Sequence, residues 1–231
     1  MVNGIVMAGQ QQYEWTEAIH RSDIQALQHL ISPDVDVNAS TNRGKTALML
    51  AAGKGEIPLI DRLIALGADV NRRNHGGGTA LMYAAQYGKM QAAKRLIAEG
   101  AKVNLQGMKG WSAIMIAVLK GQEPMVELLL AQGADPNVRD MLGWTPLMRA
   151  AHRGGAGLVR RLLDSPDVDV NAQNQFGTTA LHIAAGTGSL RIAELLVEHG
   201  ATLELEDSVG NTALTLAEQN KHKAVADLLN R

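Results

Sequence analysis

A block of seven residues recurs six times along the chain at a nearly constant interval, and this periodicity restricts the possible folds more than any other feature. The blocks begin at Thr46, Thr79, Ser112, Thr145, Thr179 and Thr212. Their starts lie 33, 33, 33, 34 and 33 residues apart. A unit of this size cannot bury its apolar face alone, so successive units must stack against one another.

Each unit can be interpreted as a tight turn followed by two helices. A glycine stands two residues before every Thr or Ser of the block, where it allows the positive φ angle of a turn. The hydroxyl then caps a first helix, and a second glycine, such as Gly121, ends that helix. Apolar residues at helical spacing, such as Ile60, Leu63 and Ile64, predict a second helix that stops at a third glycine, here Gly67.

This unit resembles the ankyrin repeat, which places a turn and two helices in about 33 residues around a Thr-Pro-Leu-His-x-Ala core. The resemblance covers nearly the whole chain. It implies an all-α ankyrin-repeat solenoid of about seven helix-turn-helix units with β-turn fingers. The family's His occurs only at His182, which puts its hydrogen-bond network between turns in question. The other units carry Met49, Met82, Met115, Met148 and Thr215 at this position.

The repeats predict one domain, residues 13–231, after a flexible lead-in, residues 1–12. The first unit lacks the Gly-x-Thr turn and the last unit is short, as expected of repeats that cap the two ends of a stack. The predicted repeats cover approximately residues 13–40, 41–73, 74–106, 107–139, 140–173, 174–206 and 207–231.

Composition excludes several classes of function. The chain has no cysteine, which rules out disulfides, thiolate metal ligands and a cysteine nucleophile. Its 22 basic and 23 acidic residues give no overall attraction to nucleic acid or anionic lipid. No segment approaches the roughly 18 to 20 apolar residues that a membrane-spanning helix needs, so membrane insertion is not expected. We expect a cytoplasmic monomer.

The motifs of known catalytic and metal sites are incomplete in this chain. Arg43-Gly44-Lys45-Thr46 resembles the end of a phosphate-binding loop, but Ala39 replaces its first glycine. The histidines lack zinc-site spacing, and the alternating Asp167, Asp169 and Asn171 lack the Gly and Glu of a calcium loop. The Gly-x-Ser-x-Gly motif of hydrolases is also missing. The sequence therefore predicts no enzyme, no cofactor and no metal.

The resemblance implies that partners bind on a concave face formed by the turn tips and first helices. Glu206 is the one acidic residue at these positions. The basic residues there are Arg43, Lys45, Lys54, Arg73, Lys109, Lys120, Arg139 and Arg153. Such a face could bind an acidic partner, although a basic face can also be an ordinary solvated surface.

Apolar residues occupy the same face, and Trp, Tyr, Met and Arg are enriched in interfaces. The predicted function is a non-enzymatic adaptor, inhibitor or scaffold that binds a protein with an acidic and apolar epitope. Trp111 and Trp144 have a structural alternative, stacking on the adjacent turn. The alternative function is binding of a polyanion, either nucleic acid, which is less expected, or a small anionic ligand. The predicted partner-binding residues are Tyr87, Met108, Lys109, Trp111, Lys120, Arg139, Met141, Leu142, Trp144, His152, Arg153 and Phe176.

Overall fold

A computed structural model describes the backbone of residues 2–230 and the side chains of residues 9–230. The fourteen α-helices are α1 (Val2–Arg21), α2 (Ile24–Leu30), α3 (Ala47–Lys54), α4 (Ile57–Ala65), α5 (Ala80–Gln86), α6 (Met90–Ala98), α7 (Ala113–Lys120), α8 (Glu123–Ala131), α9 (Pro146–Arg153), α10 (Ala156–Leu163), α11 (Ala180–Thr187), α12 (Leu190–Glu198), α13 (Ala213–Gln219) and α14 (Lys223–Leu229). A short 3-10 helix spans Met108–Gly110. Residues 2–230 form no β-strand, and a single isolated bridge pairs Ser40 with Thr46. The all-α prediction is confirmed.

The contacts group the chain into two compact units, Met1–Met108 and Lys109–Arg231, where the sequence predicts one domain. The first unit holds α1 to α6 and the second holds α7 to α14. Within the second unit, the first helices α7, α9, α11 and α13 pack in one row and the second helices α8, α10, α12 and α14 in another. Each repeat contacts only its neighbours, so contacts stay local in sequence and the chain can divide between repeats.

The predicted helix caps are present in both units. Thr46 Oγ1 accepts a hydrogen bond from the Met49 amide at 3.3 Å, and Thr145 Oγ1 accepts one from the Met148 amide at the same distance. Gly55 ends α3 in the left-handed conformation, with φ of 82°. This conformation strains any residue that has a Cβ, so glycine is the favoured residue at this position.

Small residues let the first helices pack closely. In α5, Ala84 and Ala85 are fully buried beside Leu81, which is 1% exposed. Among the second helices, α6 buries Ala92, Ala93 and Leu96 on one side only. Burying one Leu side chain contributes about 1.5–3 kcal/mol.

Backbone hydrogen bonds join the turns of successive repeats. In the first unit, the His75 amide donates to the Arg43 carbonyl at 3.0 Å. In the second unit, the Met141 amide donates to the Lys109 carbonyl at 2.9 Å. The later turns are joined from the Gln175 amide to the Leu142 carbonyl at 3.2 Å and from the Ser208 amide to the Phe176 carbonyl at 2.9 Å. These bonds fix the register between neighbouring turns.

Asparagine side chains form a second set of links that sequence reasoning did not assign. Asn137 Nδ2 donates to the Asp167 carbonyl at 2.6 Å, and Asn137 Oδ1 accepts from the Asp169 amide at 2.7 Å. Asn38, Asn71 and Asn171 make the same pair of bonds to their next repeats. The signal was present in the sequence, because these asparagines recur at one position of the repeat.

The single His of the family motif makes the link whose presence the sequence left in question. His182 Nδ1 lies 2.8 Å from Thr179 Oγ1, and His182 Nε2 lies 3.0 Å from the Asn211 carbonyl oxygen. His182 therefore connects its own cap to the following turn. At the equivalent positions Met49 and Met115 are buried, at 1% and 0% exposed, and contribute to the core.

The segment predicted as a lead-in, residues 1–12, has helical backbone from Val2 onward, because α1 runs from Val2 to Arg21. Met1 lies outside the described residues. Gln11 Nε2 donates to the Leu30 carbonyl at 3.1 Å, and Gln12 Oε1 accepts from the Asp36 amide at 2.8 Å. These two glutamines therefore pack with the first repeat, upstream of the predicted boundary at residue 13. The sequence pattern shows no cap motif at the start of this helix, so the start could not be placed from the sequence.

Candidate functional site

The predicted partner-binding residues fall in both units. Tyr87 and Met108 belong to the first unit and are 54% and 67% exposed. The second unit contains Lys109, Trp111, Lys120, Arg139, Met141, Leu142, Trp144, His152, Arg153 and Phe176. The candidate site therefore centres on the second unit.

Four exposed apolar side chains line the turn tips of the second unit, and we call them the apolar row. Met141 is 60% exposed, Leu142 40%, Phe176 53% and Val209 78%. Leu142, Phe176 and Val209 occupy the same turn position in three successive repeats. The carbonyls of Leu142 and Phe176 accept the bonds that join these turns, so the backbone holds the row in place.

Val209 is the member of the apolar row that the sequence prediction missed. It lies at the position of Leu142 and Phe176 in the last full turn. The prediction covered this turn position in every repeat but selected only basic, aromatic, Leu and Met residues, so it left out Val209.

Trp144 packs on the helix that follows its own turn. Its ring centroid lies 4.4 Å from the guanidinium carbon of Arg149 and 5.5 Å from the centroid of the His152 ring, which meets it edge-on. Trp144 is half-buried by these contacts. Trp144 therefore attaches its turn to α9 and still presents part of its ring to solvent.

A buried carboxylate organises the same turn. Asp140 is 6% exposed and accepts hydrogen bonds from the Leu142 amide at 2.9 Å and the Trp144 amide at 3.0 Å. Its second oxygen pairs with Arg149, whose Nε donates at 3.1 Å. Hydrogen bonds to charged groups are stronger than those between neutral groups. Asp140 and Arg149 therefore fix the turn that carries Met141 and Leu142.

The basic residues of the predicted site have two different roles. Arg139 Nη1 donates to the Gln173 carbonyl at 2.6 Å, and Arg153 Nη1 donates to the Leu119 carbonyl at 2.9 Å. These arginines link neighbouring repeats and remain exposed. Lys109 and Lys120 are exposed as well, and Trp111 is 38% exposed. The second unit thus displays apolar turn tips together with basic side chains from the turns and first helices.

The described residues show two further properties. No helix in residues 2–230 combines the length and apolar character required to cross a membrane. The His, Asp and Glu side chains of the described residues form no group of three or more that could hold a metal ion.

Repeats of one turn and two helices, joined by bonds between turns and by asparagine links, define the class of ankyrin-repeat proteins. A family model described as ankyrin repeats (3 copies) matches residues 16–107, 91–174 and 147–231. The chain therefore belongs to the ankyrin-repeat family.

Several curated proteins are similar to short parts of the chain. Potassium channel AKT1 of Oryza sativa subsp. indica is 50% identical over 54 residues, which is 23% of this chain and 6% of the channel. The putative ankyrin repeat protein YahD of Escherichia coli (strain K12) is 36% identical over 75 residues, which is 30% of this chain and 37% of that protein. A putative ankyrin repeat protein of Rickettsia felis is 31% identical over 62 residues, covering 27% of this chain and 16% of that protein. The chain thus covers well under half the length of each of these relatives.

Proposed function

We propose that this chain is a non-enzymatic adaptor, inhibitor or scaffold that binds a partner protein through the inner face of residues 109–231. The inner face here means the turn tips and the first helices. Ankyrin repeats indicate a protein-interaction module, and the apolar row is the observation that supports this particular face. Contiguous exposed apolar side chains are uncommon on monomeric proteins and mark interaction sites. A cytoplasmic location and a monomeric chain complete the proposal.

The proposed partner has an apolar epitope with an acidic rim. The apolar row and the exposed part of Trp144 would form the buried centre of the interface, where aromatic residues and Met contribute most. Lys109 and Lys120 would meet carboxylates at the edge, where charges mainly steer association and select partners.

The alternative function is binding of a polyanion on the basic residues of the inner face. Arg139 and Arg153 already donate hydrogen bonds to backbone carbonyls, which favours binding of a protein partner over binding of a polyanion. Ionic strength separates the two functions. Affinity for a polyanion should fall by orders of magnitude between about 50 and 200 mM salt, whereas an interface centred on apolar residues should weaken much less.

The double variant Leu142→Ser/Phe176→Ser tests the proposed face. A photo-crosslinking residue at position 176 first identifies the partner. Titration with the purified partner then compares the affinity of the double variant with that of the wild type. We expect the affinity to fall at least tenfold, which is about 1.4 kcal/mol, because two side chains of the interface centre are lost. Trp144 and Arg153 are less suitable targets, because Trp144 also attaches its turn to α9 and Arg153 also links neighbouring repeats.

The matched control is Tyr13→Ser, which removes an apolar side chain that is 65% exposed in α1 of the first unit. Both variants should keep the thermal midpoint of the wild type, because they replace exposed side chains. Wild-type affinity for the double variant, or equal losses in the variant and its control, would show that the partner binds elsewhere.

A further inference from the structure

The first unit contains a cleft of about 380 Å³ whose rim is basic and whose walls are aromatic. It runs along α3, from Lys45 just before the helix to Lys54 at its last residue, and along the C-terminal half of α5. The sequence placed part of this surface on the inner face but missed Tyr83 and Lys89. The lining includes Ser22, Lys45, Lys54, Tyr83, Tyr87 and Lys89.

The three lysines of the cleft have no acidic partner. No acidic side chain lines the cleft, and among the described residues no carboxylate forms an ion pair with Lys45, Lys54 or Lys89. Lys45 is half-buried, and its Nζ donates to Ser22 Oγ at 3.2 Å. Burial, followed by the nearby charge of Lys54, lowers the pKa of Lys45. Like charges that lie near one another, one of them partly desolvated, favour the entry of an anion.

Two glycines of the second repeat bring the walls of the cleft close together. A Cβ atom added at Gly53 would lie 3.2 Å from Cδ2 of Tyr87, so the missing side chain lets this ring rest on α3. A Cβ atom added at Gly55 would lie 3.1 Å from Cδ of Lys89. The aliphatic stem of Lys89 therefore crosses the end of α3. The walls of the cleft are thus formed by packing between repeats.

The geometry points to a carboxylate-binding cleft that receives an acidic segment of the partner protein. The carboxylate would lie between the ammonium groups of Lys45, Lys54 and Lys89. The methylene stem of a Glu side chain would pack against the rings of Tyr83 and Tyr87. The inference rests on the proposed function, because it takes the partner to be a protein, and it adds a second contact region with a different chemistry.

The cleft suits a carboxylate better than a phosphate. Phosphate sites commonly use the amides of a helix N-terminus or the planar fork of an arginine. The lining of this cleft contains no arginine, and its Lys54 and Tyr87 lie at the C-terminal ends of α3 and α5, where the helix dipole is negative. A carboxylate carries one negative charge and meets less repulsion there than a phosphate dianion.

Calorimetric titration of the whole chain with an acetylated Leu-Glu-Glu-Leu amide peptide tests this inference. The peptide should bind at low salt, and the matched Leu-Gln-Gln-Leu peptide should not. The variant Lys54→Met/Lys89→Met should weaken binding about tenfold, from roughly threefold for each partly exposed charge. The control Lys94→Met/Lys102→Met removes the same charge from exposed positions of the same unit and should change affinity less than about twofold.

A measurement on the wild type adds a readout that does not depend on the folding of a variant. When the Glu peptide is bound, Lys54 and Lys89 should be acetylated by a limiting reagent more slowly, relative to the acetylation rate of Lys94. No binding of the peptide at millimolar concentration, equal acetylation of all three lysines, or tighter binding of inorganic phosphate than of the peptide would overturn the inference.

The outcome is separable from that of the proposed function. The variant Leu142→Ser/Phe176→Ser should bind the Glu peptide like the wild type, because it changes only the second unit. Failure of the peptide to bind would leave binding of the partner to the apolar row intact. If the apolar row proved not to bind the partner, the result obtained with the Glu peptide would likewise be unaffected.

Discussion

At the scale of single residues, Asp140 joins the local structure of a turn to the surface that we propose for binding. Its carboxylate accepts from two amides of its own turn and pairs with Arg149. Arg149 in turn lies over the ring of Trp144. A substitution at this nearly buried carboxylate should therefore disturb the exposed turn tip as well as the core.

We predict that Asp140→Ala lowers the free energy of unfolding by about 2–4 kcal/mol. The variant loses two hydrogen bonds of the turn and leaves Arg149 without its partner. Asp140→Asn is the informative control, because Asn174 occupies the same position and accepts from the Phe176 and Thr178 amides at 2.8 and 3.0 Å. The Asn variant should lose only about 1 kcal/mol. Urea unfolding measures both values, and equal losses would show that the ion pair, and not the turn, dominates.

At the scale of secondary structure, glycines at equivalent positions of the repeat have different structural roles. Gly53 and Gly186 both lie near the ends of first helices, in α3 and α11. The ring of Tyr87 rests on Gly53, whereas nothing lies within 4 Å of a Cβ atom added at Gly186. Glycine is thus needed at one position and is only a weak helix former at the other.

The variant Gly186→Ala should raise the free energy of unfolding by about 0.5–1 kcal/mol, because alanine favours the helix and its methyl group meets open space. Gly53→Ala should gain less or lose stability, because its methyl group lies 3.2 Å from the Tyr87 ring. That variant should also narrow the cleft of the first unit and weaken the binding of the Glu peptide. Thermal unfolding compares the two variants, and an equal gain at both positions would mean that Tyr87 moves aside freely.

At the scale of the whole molecule, the stability of each unit comes from contacts between neighbouring repeats, as expected of repeat proteins. Buried helix faces, backbone bonds between turns and asparagine links all join one repeat to the next. The two units carry different surfaces: an apolar row in residues 109–231 and a basic cleft in residues 1–108. A partner with both an apolar and an acidic region would match this division.

The sequence predicted the repeat, the capping hydroxyls and the left-handed glycines, because each is a local feature with a fixed spacing. It did not predict the pairing of Asp140 with Arg149 or the packing of Lys89 on Gly55, since these depend on which side chains meet after folding. Arg149 is the clearest example, because Tyr83 and Ile116 occupy the same helix position in the two preceding repeats. The start of α1 at Val2 was also not predicted, because the sequence shows no capping motif there.

The most direct test of the account is methyl NMR spectroscopy of the chain, labelled at Leu and Val, with and without its purified partner. We predict that the methyl signals of Leu142 and Val209 shift or broaden on binding. The signals of Leu130 in α8 and Val197 in α12 should stay unchanged, because both residues lie on second helices. Shifts at Leu130 and Val197, with Leu142 and Val209 unaffected, would contradict the account and place the partner on the outer helices.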